Sequence, residues 1–361
     1  MKSLEELVNT TTTQIADLLP KIILQEVEEA ARARRFGRNL VRINTDLVRT
    51  KGRSIVVGRR GVLTAASVSE GNSPTGVAEG TLAYTSNTIS PSKIGTALKI
   101  TQEAIDGANL DLIRDGITEA GIALADKEDL DIVYELLGRT AFSETVAGTY
   151  VAGTSTVTLS FSGSDPVLSI TSVVCTNTVT SGFYFDAYDA KVLFPSTSSG
   201  TTSPVVSGYK STRTNYVDAG TMGSLTYIDI VNTAGVIRAN KWTPDFMLIH
   251  PNQMTDLIKD SRFVDVSKYG SREVILNGEL GKISGLKILV STHMMDGTAL
   301  FIASKRAAWM AIKRNVDLKR WDNPSTDSVE LYFYMEYGVS LTDEDAVAIS
   351  VNHLATYATD Y

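Results

Sequence analysis

Apolar residues return at three-and-four spacing in only a few stretches of this chain, and alternate or run together in many more. The clearest helical stretch sets Leu112, Ile113, Ile117, Ala120, Leu124, Leu130, Val133 and Leu137 against Asp115, Glu119, Asp126 and Lys127 on the other face. That period predicts one long amphipathic helix. Asp111 is placed to favour its start and Gly138 to stop it. About 27 residues at 1.5 Å each make a rod of ~40 Å. Gly107, Gly116 and Gly121 lower helix propensity in or near it, and close backbone packing against a sheet or neighbour would account for them.

Upstream, Leu4 to Phe36 reads as a helical or part-helical arm broken at Pro20, with Ile22, Ile23, Val27, Ala30 and Ala31 as a stripe too thin to fold alone. Gly37 closes it. From Leu40 to Ile100 short β-type runs take over: Ser54 to Val57, Ala65 to Ser69, Leu82 to Ile89 and Lys93 to Ile100. Between them Glu70 to Gly76 is rich in turn formers. The pattern predicts a long two-stranded excursion, which is marginal by itself and is expected to lie against something else, such as another copy of the chain.

From Ala141 to Gly208 only Glu144, Asp165, Asp186, Asp189 and Lys191 are charged. Val157 to Phe161, Val167 to Cys175, Gly182 to Asp186, Val192 to Phe194 and Val205 to Tyr209 read as short strands, with turns at Ser164-Asp165-Pro166 and Ser198-Ser199-Gly200. Phe183, Phe185 and these apolar runs supply core material that a disordered Ser/Thr-rich segment lacks, so a small inserted β-sandwich or barrel is expected. After Asp218 the pattern mixes again. A helix is predicted around Ser224 to Ala239, capped by Ser224, with Leu225, Ile228, Val231 and Gly235 along one side. Phe246 to Ile249 reads as a buried strand, and Pro251 begins another helix. Further strands are predicted at Leu286 to Ser291, Leu300 to Ala303, Ala308 to Lys313, Glu330 to Ser340 and Ala346 to Asn352.

The chain of 361 residues is 43% apolar and 21% charged, an ordinary globular composition with a prior of two or three domains. No apolar run approaches the ~20 residues of a membrane helix, and Met1-Lys2-Ser3-Leu4-Glu5-Glu6 is too polar for a signal peptide. The lone Cys175 forms no internal disulfide. The net charge of −7 hides an asymmetry: Arg32 to Arg60 holds ten Arg or Lys residues against the single acid Asp46, a local +9 that leaves −16 for the rest. Such a stretch suits a nucleic-acid backbone, an acidic neighbour or plain solvation, and the attractions weaken with salt.

The search for chemistry is mostly negative. His250, His293 and His353 show no metal-pair or nucleophile-relay spacing. His250 before Pro251 reads as a capping or packing residue, and His293-Met294-Met295 as a loop beside core methionines. Asp343-Glu344-Asp345 reads as a solvated turn, and Cys175 as inert core. Asn277 to Gly285 superficially resembles a phosphate loop but lacks the Lys-Ser/Thr pair after its last glycine and leads into a strand, so its glycines read as turn geometry. No catalytic, cofactor or metal residue is assigned.

That stretch carries a resemblance instead. His250-Pro251-Asn252-Gln253, then Tyr269-Gly270, then Asn277-Gly278-Glu279-Leu280-Gly281-Lys282-Ile283-Ser284-Gly285-Leu286-Lys287-Ile288 and Ser291 resemble, in order, the apical domain of Hong Kong 97-type major capsid proteins. Gly52 to Ile100, with Val68-Ser69-Glu70-Gly71, resembles their extended loop. Thr101-Gln102-Glu103-Ala104 resembles the lead-in to their spine helix, and Leu110 to Leu137 the spine itself. Glu330 to Asn352 resembles the strands returning to the peripheral domain. The likeness covers roughly four-fifths of the chain and omits about Ala141 to Asp218; no crosslinking pair is placed.

The resemblance implies an α+β Hong Kong 97-type capsid fold: an N-terminal arm over 1–50, an extended loop over 51–96, a peripheral domain with a long spine helix over 97–140, an inserted β-rich domain over 141–219, an apical domain over 220–325 and returning peripheral strands over 326–361. It implies the major capsid protein of a tailed bacterial or archaeal virus, self-assembling through hexamers and pentamers into an icosahedral shell around double-stranded DNA. Portal and scaffolding or decoration proteins, and packaged DNA through non-specific contact, are the implied partners, with no membrane. Assembly is expected in the host cytoplasm and the product in the virion. Arg32, Arg34, Arg35, Arg38, Arg59 and Arg60 are the residues expected to contact DNA or acidic faces of adjacent subunits. An encapsulin-type compartment shares the implied fold and is the nearer alternative. An enzyme with paired carboxylates such as Asp186 and Asp189 is the more distant one.

Overall fold

The computed structural model describes residues 35–49, 52–60, 67, 70, 84–107, 112–146, 149–150, 156–160, 165–175, 178–179, 184–187, 191–193, 201–202, 204–218, 224–259, 282–351 and 353. The arm expected over 4–34, most of the strand over 65–69, the turn over 71–76, Asp111, Asp189, Gly278, Gly281 and the side chain of Cys175 lie outside the described residues. Along the chain the main strands are β1 (Arg42–Asn44), β2 (Ile55–Arg60), β3 (Tyr84–Ile89), β4 (Ser92–Thr101), β5 (Arg139–Thr145), β6 (Val167–Cys175), β7 (Val205–Ser211), β8 (Tyr216–Asp218), β9 (Phe246–Ile249), β10 (Leu286–Val290), β11 (Ala299–Ile302), β12 (Ala308–Asn323), β13 (Ser328–Leu341) and β14 (Val347–Val351). The main helices are α1 (Leu112–Leu137), α2 (Tyr227–Ala239) and α3 (Pro251–Lys259). Two compact units divide these residues, one drawn from Met1–Phe36, Ile43–Glu128 and Trp309–Thr342, the other from Gly37–Arg42, Asp129–Ala308 and Asp343–Tyr361.

The first unit is built on a four-stranded sheet in the order β1-β12-β13-β4. β4 and β13 pair antiparallel from Ser92↔Tyr337 to Thr101↔Ser328. Alternation sends Ile94, Leu98 and Ile100 with Leu331, Phe333 and Met335 to one face, and Lys93 and Lys99 with Glu330, Tyr332, Tyr334 and Glu336 to the other. The helix presses on the apolar face: a Cβ at Gly116 would fall 2.4 Å from Leu98 Cδ2. The polar face is laced by cross-strand contacts, with Lys93 Nζ 3.7 Å from the Tyr334 ring centroid and Lys99 Nζ 3.3 Å from Glu330 Oε1. β12 runs ten residues beyond the predicted Lys313, because Arg314–Asn323 is too polar to read as a strand but is half-exposed and needs only one covered face.

The predicted two-stranded excursion is present as β2 and β3, antiparallel from Ile55↔Ile89 to Arg60↔Tyr84 in a sheet of their own. Its base is seated by Val57 and Ile89, packed with Leu47, Ala311, Ile55 and Trp309. Asn87 Nδ2 donates to the Leu341 carbonyl at 2.5 Å. On the opposite face Val56 is 63% exposed.

The second unit centres on a six-stranded mixed sheet in the order β8-β14-β11-β9-β10-Lys282–Ile283. Met247, Ile249, Leu286, Ala299, Phe301 and Ala348 form one core with Ile230, Ala234 and Ile237 of α2 and Leu257 of α3. Ser284 and Gly285 have φ of 52° and 86° and join Lys282–Ile283 to β10 as a two-residue hairpin, so Gly285 is turn geometry as expected. Two helix details differ from expectation. The cap of α2 is Thr226 rather than Ser224, because Asp229 stands three residues later and accepts from the Thr226 backbone N at 2.9 Å in a capping box. The buried stripe is Ile230, Thr233, Ala234 and Ile237, while Ile228 is exposed. Both stripes keep helical spacing, and packing on the sheet selects one.

Strand β14 was expected beside the spine helix with the returning strands. It instead pairs with β11 and β8, where its five residues, all buried, complete the apolar layer. The low-charge segment contains an antiparallel sheet in the order β5-β7-β6-Thr178–Val179 and a small one of Tyr184–Asp186, Lys191–Leu193 and Thr156–Thr158. Leu159, Val167, Val173, Val192 and Val206 pack together there. β5 itself is too polar and alternating to have been read from the sequence.

Candidate assembly surfaces and the basic segment

The spine-like helix α1 positions the first of the basic residues. Its buried stripe is Ile117, Ala120, Leu124, Ala125, Ile132, Val133, Leu136 and Leu137, interrupted by two acids, Glu128 at 0% and Asp129 at 2% exposure. Leu130, placed on that stripe from the sequence, is only half-buried, and the acids occupy the turn it would have filled. Each acid meets a group at the start of the described chain. Arg35 Nε lies 3.1 Å from Glu128 Oε2, with both side chains buried. The Gly37 backbone N donates to Asp129 Oδ1 at 2.9 Å, and a Cβ on Gly37 would come within 2.7 Å of that oxygen. A side chain at this position would displace Asp129 or Ile132. The signal for Glu128 was legible: it is four residues from both Leu124 and Ile132, a charged residue inside an apolar stripe.

The remaining candidates separate by place. Arg38 is half-buried in the short 3₁₀ turn Gly37–Asn39. Arg59 is half-buried on β2, and Arg60 ends that strand opposite Tyr84. Arg32 and Arg34 lie outside the described residues. Arg59 and Arg60 are thus held adjacent on the hairpin, while Arg35 is engaged by a buried carboxylate of its own chain.

At its other end α1 is closed by Gly138, whose φ of 62° lets the chain turn. Ser211 Oγ donates to the Leu137 carbonyl at 2.6 Å, and Arg213 Nε to the Leu136 carbonyl at 3.1 Å. A cation at a helix C-terminus is favoured by the dipole. Burial lowers the Arg213 pKa, opposed by Glu135 and Glu344. Arg139 stacks between the rings of Tyr134 and Tyr209, at 3.8 and 3.4 Å from their centroids.

The polar residues singled out for possible chemistry have structural partners. His250 Nδ1 accepts from the Asn252 backbone N at 3.3 Å, the capping role expected of it. The Asp343-Glu344-Asp345 turn is less solvated than expected. Asp343 is buried and accepts from the Asp345 backbone N at 3.2 Å, while Glu344 Oε1 accepts from the Thr214 backbone N at 2.9 Å. Met294 is buried beside half-buried His293. Among the described residues no group of three metal-ligating side chains converges, and no helix is long and apolar enough to cross a membrane.

The family model described as phage capsid protein matches residues 84–350. No curated protein matches the chain. Among solved structures it is similar to a capsid chain of the cyanophage P-SCSP1u, at 12% identity and a TM-score of 0.56 with 88% of each chain covered. It is also similar to a chain of Mycobacterium phage Che8, at 13% identity and a TM-score of 0.53, covering 88% of this chain and 91% of that one. A third likeness is to the acid-stable capsid of Helicobacter pylori bacteriophage KHP30, at 13% identity and a TM-score of 0.55, covering 86% and 87%. At such identities the likeness speaks for the fold.

Proposed function

The chain belongs to the phage capsid protein family, a major capsid protein with the Hong Kong 97-type fold, and from that premise we propose that it builds an icosahedral shell around the double-stranded DNA of a tailed virus. Copies join into hexamers and pentamers through heterologous contacts that close around an axis. Each pairwise interface can be modest, because many simultaneous contacts make the shell durable. Its role is mechanical and not enzymatic, and assembly takes place in the host cytoplasm with portal and scaffolding or decoration proteins.

The observation that carries this reading is the family match over 84–350, joined to a two-stranded hairpin with an exposed apolar residue on its outer face. The arm over 1–50 and the hairpin within 51–96 act as reach-over elements. The helix over 112–137 with the sheet of β4, β12 and β13 forms the peripheral part, residues 220–308 with β14 the apical part, and 141–219 an inserted β domain facing outward or between capsomers. Arg38, Arg59 and Arg60, with Arg32 and Arg34, meet packaged DNA or acidic faces of neighbours, while Arg35 anchors the arm's base.

The test is to express the chain alone and with its neighbouring genes, pellet fast-sedimenting material and image it by electron microscopy. Icosahedral shells or capsomer rings holding DNA are expected; a monomer under every condition overturns the reading. Replacing Arg59 and Arg60 by Gln is expected to weaken assembly or DNA retention and to flatten its salt dependence. Unchanged assembly, retention and salt dependence would remove those residues from the proposal.

A further inference from the structure

His353 follows strand β14 and is 1% exposed. Its backbone N donates to the Gly297 carbonyl at 3.1 Å, and its carbonyl accepts from Gln253 Nε2 at 3.2 Å. Its Nε2 lies 2.8 Å from Ser350 Oγ. His353 Nδ1 and Gln253 Oε1 are both buried with no hydrogen-bond partner among the described residues.

The charged groups on the surrounding elements are already engaged. Asp229 on α2 accepts from the Thr226 backbone N at 2.9 Å and from its hydroxyl at 2.7 Å. Asp296, in the turn after β10, accepts from Asn252 Nδ2 at 2.8 Å, Gln253 Nε2 at 2.7 Å and the Gly297 backbone N at 2.9 Å. His250 Nδ1 stands 3.7 Å from Asp296 Oδ1 and caps α3. The other titratable groups of these elements are Asp256 and Lys259 on α3, Tyr227 and Arg238 on α2, His293 in the turn, and Tyr216 and Asp218, the last opposite Val351, on β8.

A neutral imidazole suits this site. It needs one partner at Nε2, and the serine hydroxyl can donate or accept. A second proton would put a charged N–H donor at Nδ1, which is buried with no acceptor among the described residues, so the desolvation cost falls on it.

We propose that His353 is an acid-operated latch: on taking a second proton its imidazole leaves the site between α3 and the 292–298 turn, freeing the end of β14 from Gly297 and Gln253. Burial lowers the His353 pKa to about 4, with Asp229 opposing, which agrees in direction. The open state titrates near the ordinary value of about 6.5. A group whose folded pKa is depressed in this way favours the closed state above about 6.5, and that preference drains away as pH falls toward 4.

The measurement is hydrogen exchange read by mass spectrometry on the full-length chain, on the histidine C2 positions and on the backbone of the 347–353 region. The C2 titration midpoint of His353 is expected clearly below the ordinary value of about 6.5. Backbone protection there is expected to fall about tenfold per pH unit between about 6.5 and 4, then level off, after correction for intrinsic rates. In His353→Gln the same region should show no such fall. A C2 midpoint near about 6.5, or a fall in protection that persists in His353→Gln, overturns the latch. The C2 titration needs no variant, so it decides the matter even if His353→Gln fails to fold.

Discussion

The two main sheets bury their strands in different ways. In the six-stranded sheet, every residue of β11 and β14 is buried, so both faces are covered. In the four-stranded sheet, β4 alternates exposed and half-buried residues, with one face under α1 and the other carrying Lys93 and Lys99. The first arrangement concentrates stabilisation in a few side chains. The second spreads it, and leaves a face of paired charges whose worth is set by solvent and salt. A shell subunit gains from having both: a stiff block, and a sheet with surface left over for contacts.

The largest effect should come from Phe301→Ala, at the centre of the doubly covered sheet, which is expected to cost about 3–5 kcal/mol in denaturant unfolding of the dissociated subunit. Leu98→Ala, half-buried under α1, should cost clearly less; equal losses would erase the contrast between the sheets. Next is the ion pair at the helix. Arg35→Met or Glu128→Gln alone is expected to cost roughly 3 kcal/mol by removing the facing charge from a buried one, and the double change Arg35→Met with Glu128→Met to recover much of it. Additive losses would show that the pair is not a unit.

Gly116→Ala sharpens the question of how tightly α1 sits on its sheet. The added methyl should cost about 1–3 kcal/mol against Leu98, less the gain in helix propensity, and Leu98→Ala should restore it. A neutral single variant would mean the helix moves freely on the sheet. The smallest effect is expected at Trp321, 61% exposed on the half-covered strand β12. Trp321→Ala should shift subunit stability by no more than about 0.5 kcal/mol. A larger loss would show that the side chain is already packed within one subunit.

The same contrast explains what could be read in advance. Helix α1 was legible because half of it faces solvent, so its period shows. Its errors lie where packing overrules period: Leu130 falls on the predicted stripe but is half-buried, and Glu128, whose spacing from Leu124 and Ile132 already places it on the stripe, finds its reason for burial only in Arg35 beside it. The long tail of β12 was missed for the complementary reason, since Arg314–Asn323 needs one covered face and carries no apolar run. The buried runs Phe246–Ile249 and Val347–Val351 were recognised as strands, but nothing in four apolar residues, or four and a serine, says which neighbours they pair with, and β14 went to a different sheet from the one expected.

Of the basic candidates, the count of charges between Arg32 and Arg60 was available at once, and with it the idea of an anionic partner. Distance decided the rest, separating Arg35, locked on Glu128, from Arg59 and Arg60 on the hairpin. By itself the sequence determined the order of elements, the long helix, the hairpin excursion and the family resemblance, because these depend on local period and collinear motifs. Only the tertiary structure decided which stripe of α2 is buried, which sheet receives β14, and that His353 is buried with a nitrogen unmatched among the described residues, because each depends on groups far apart in the chain meeting.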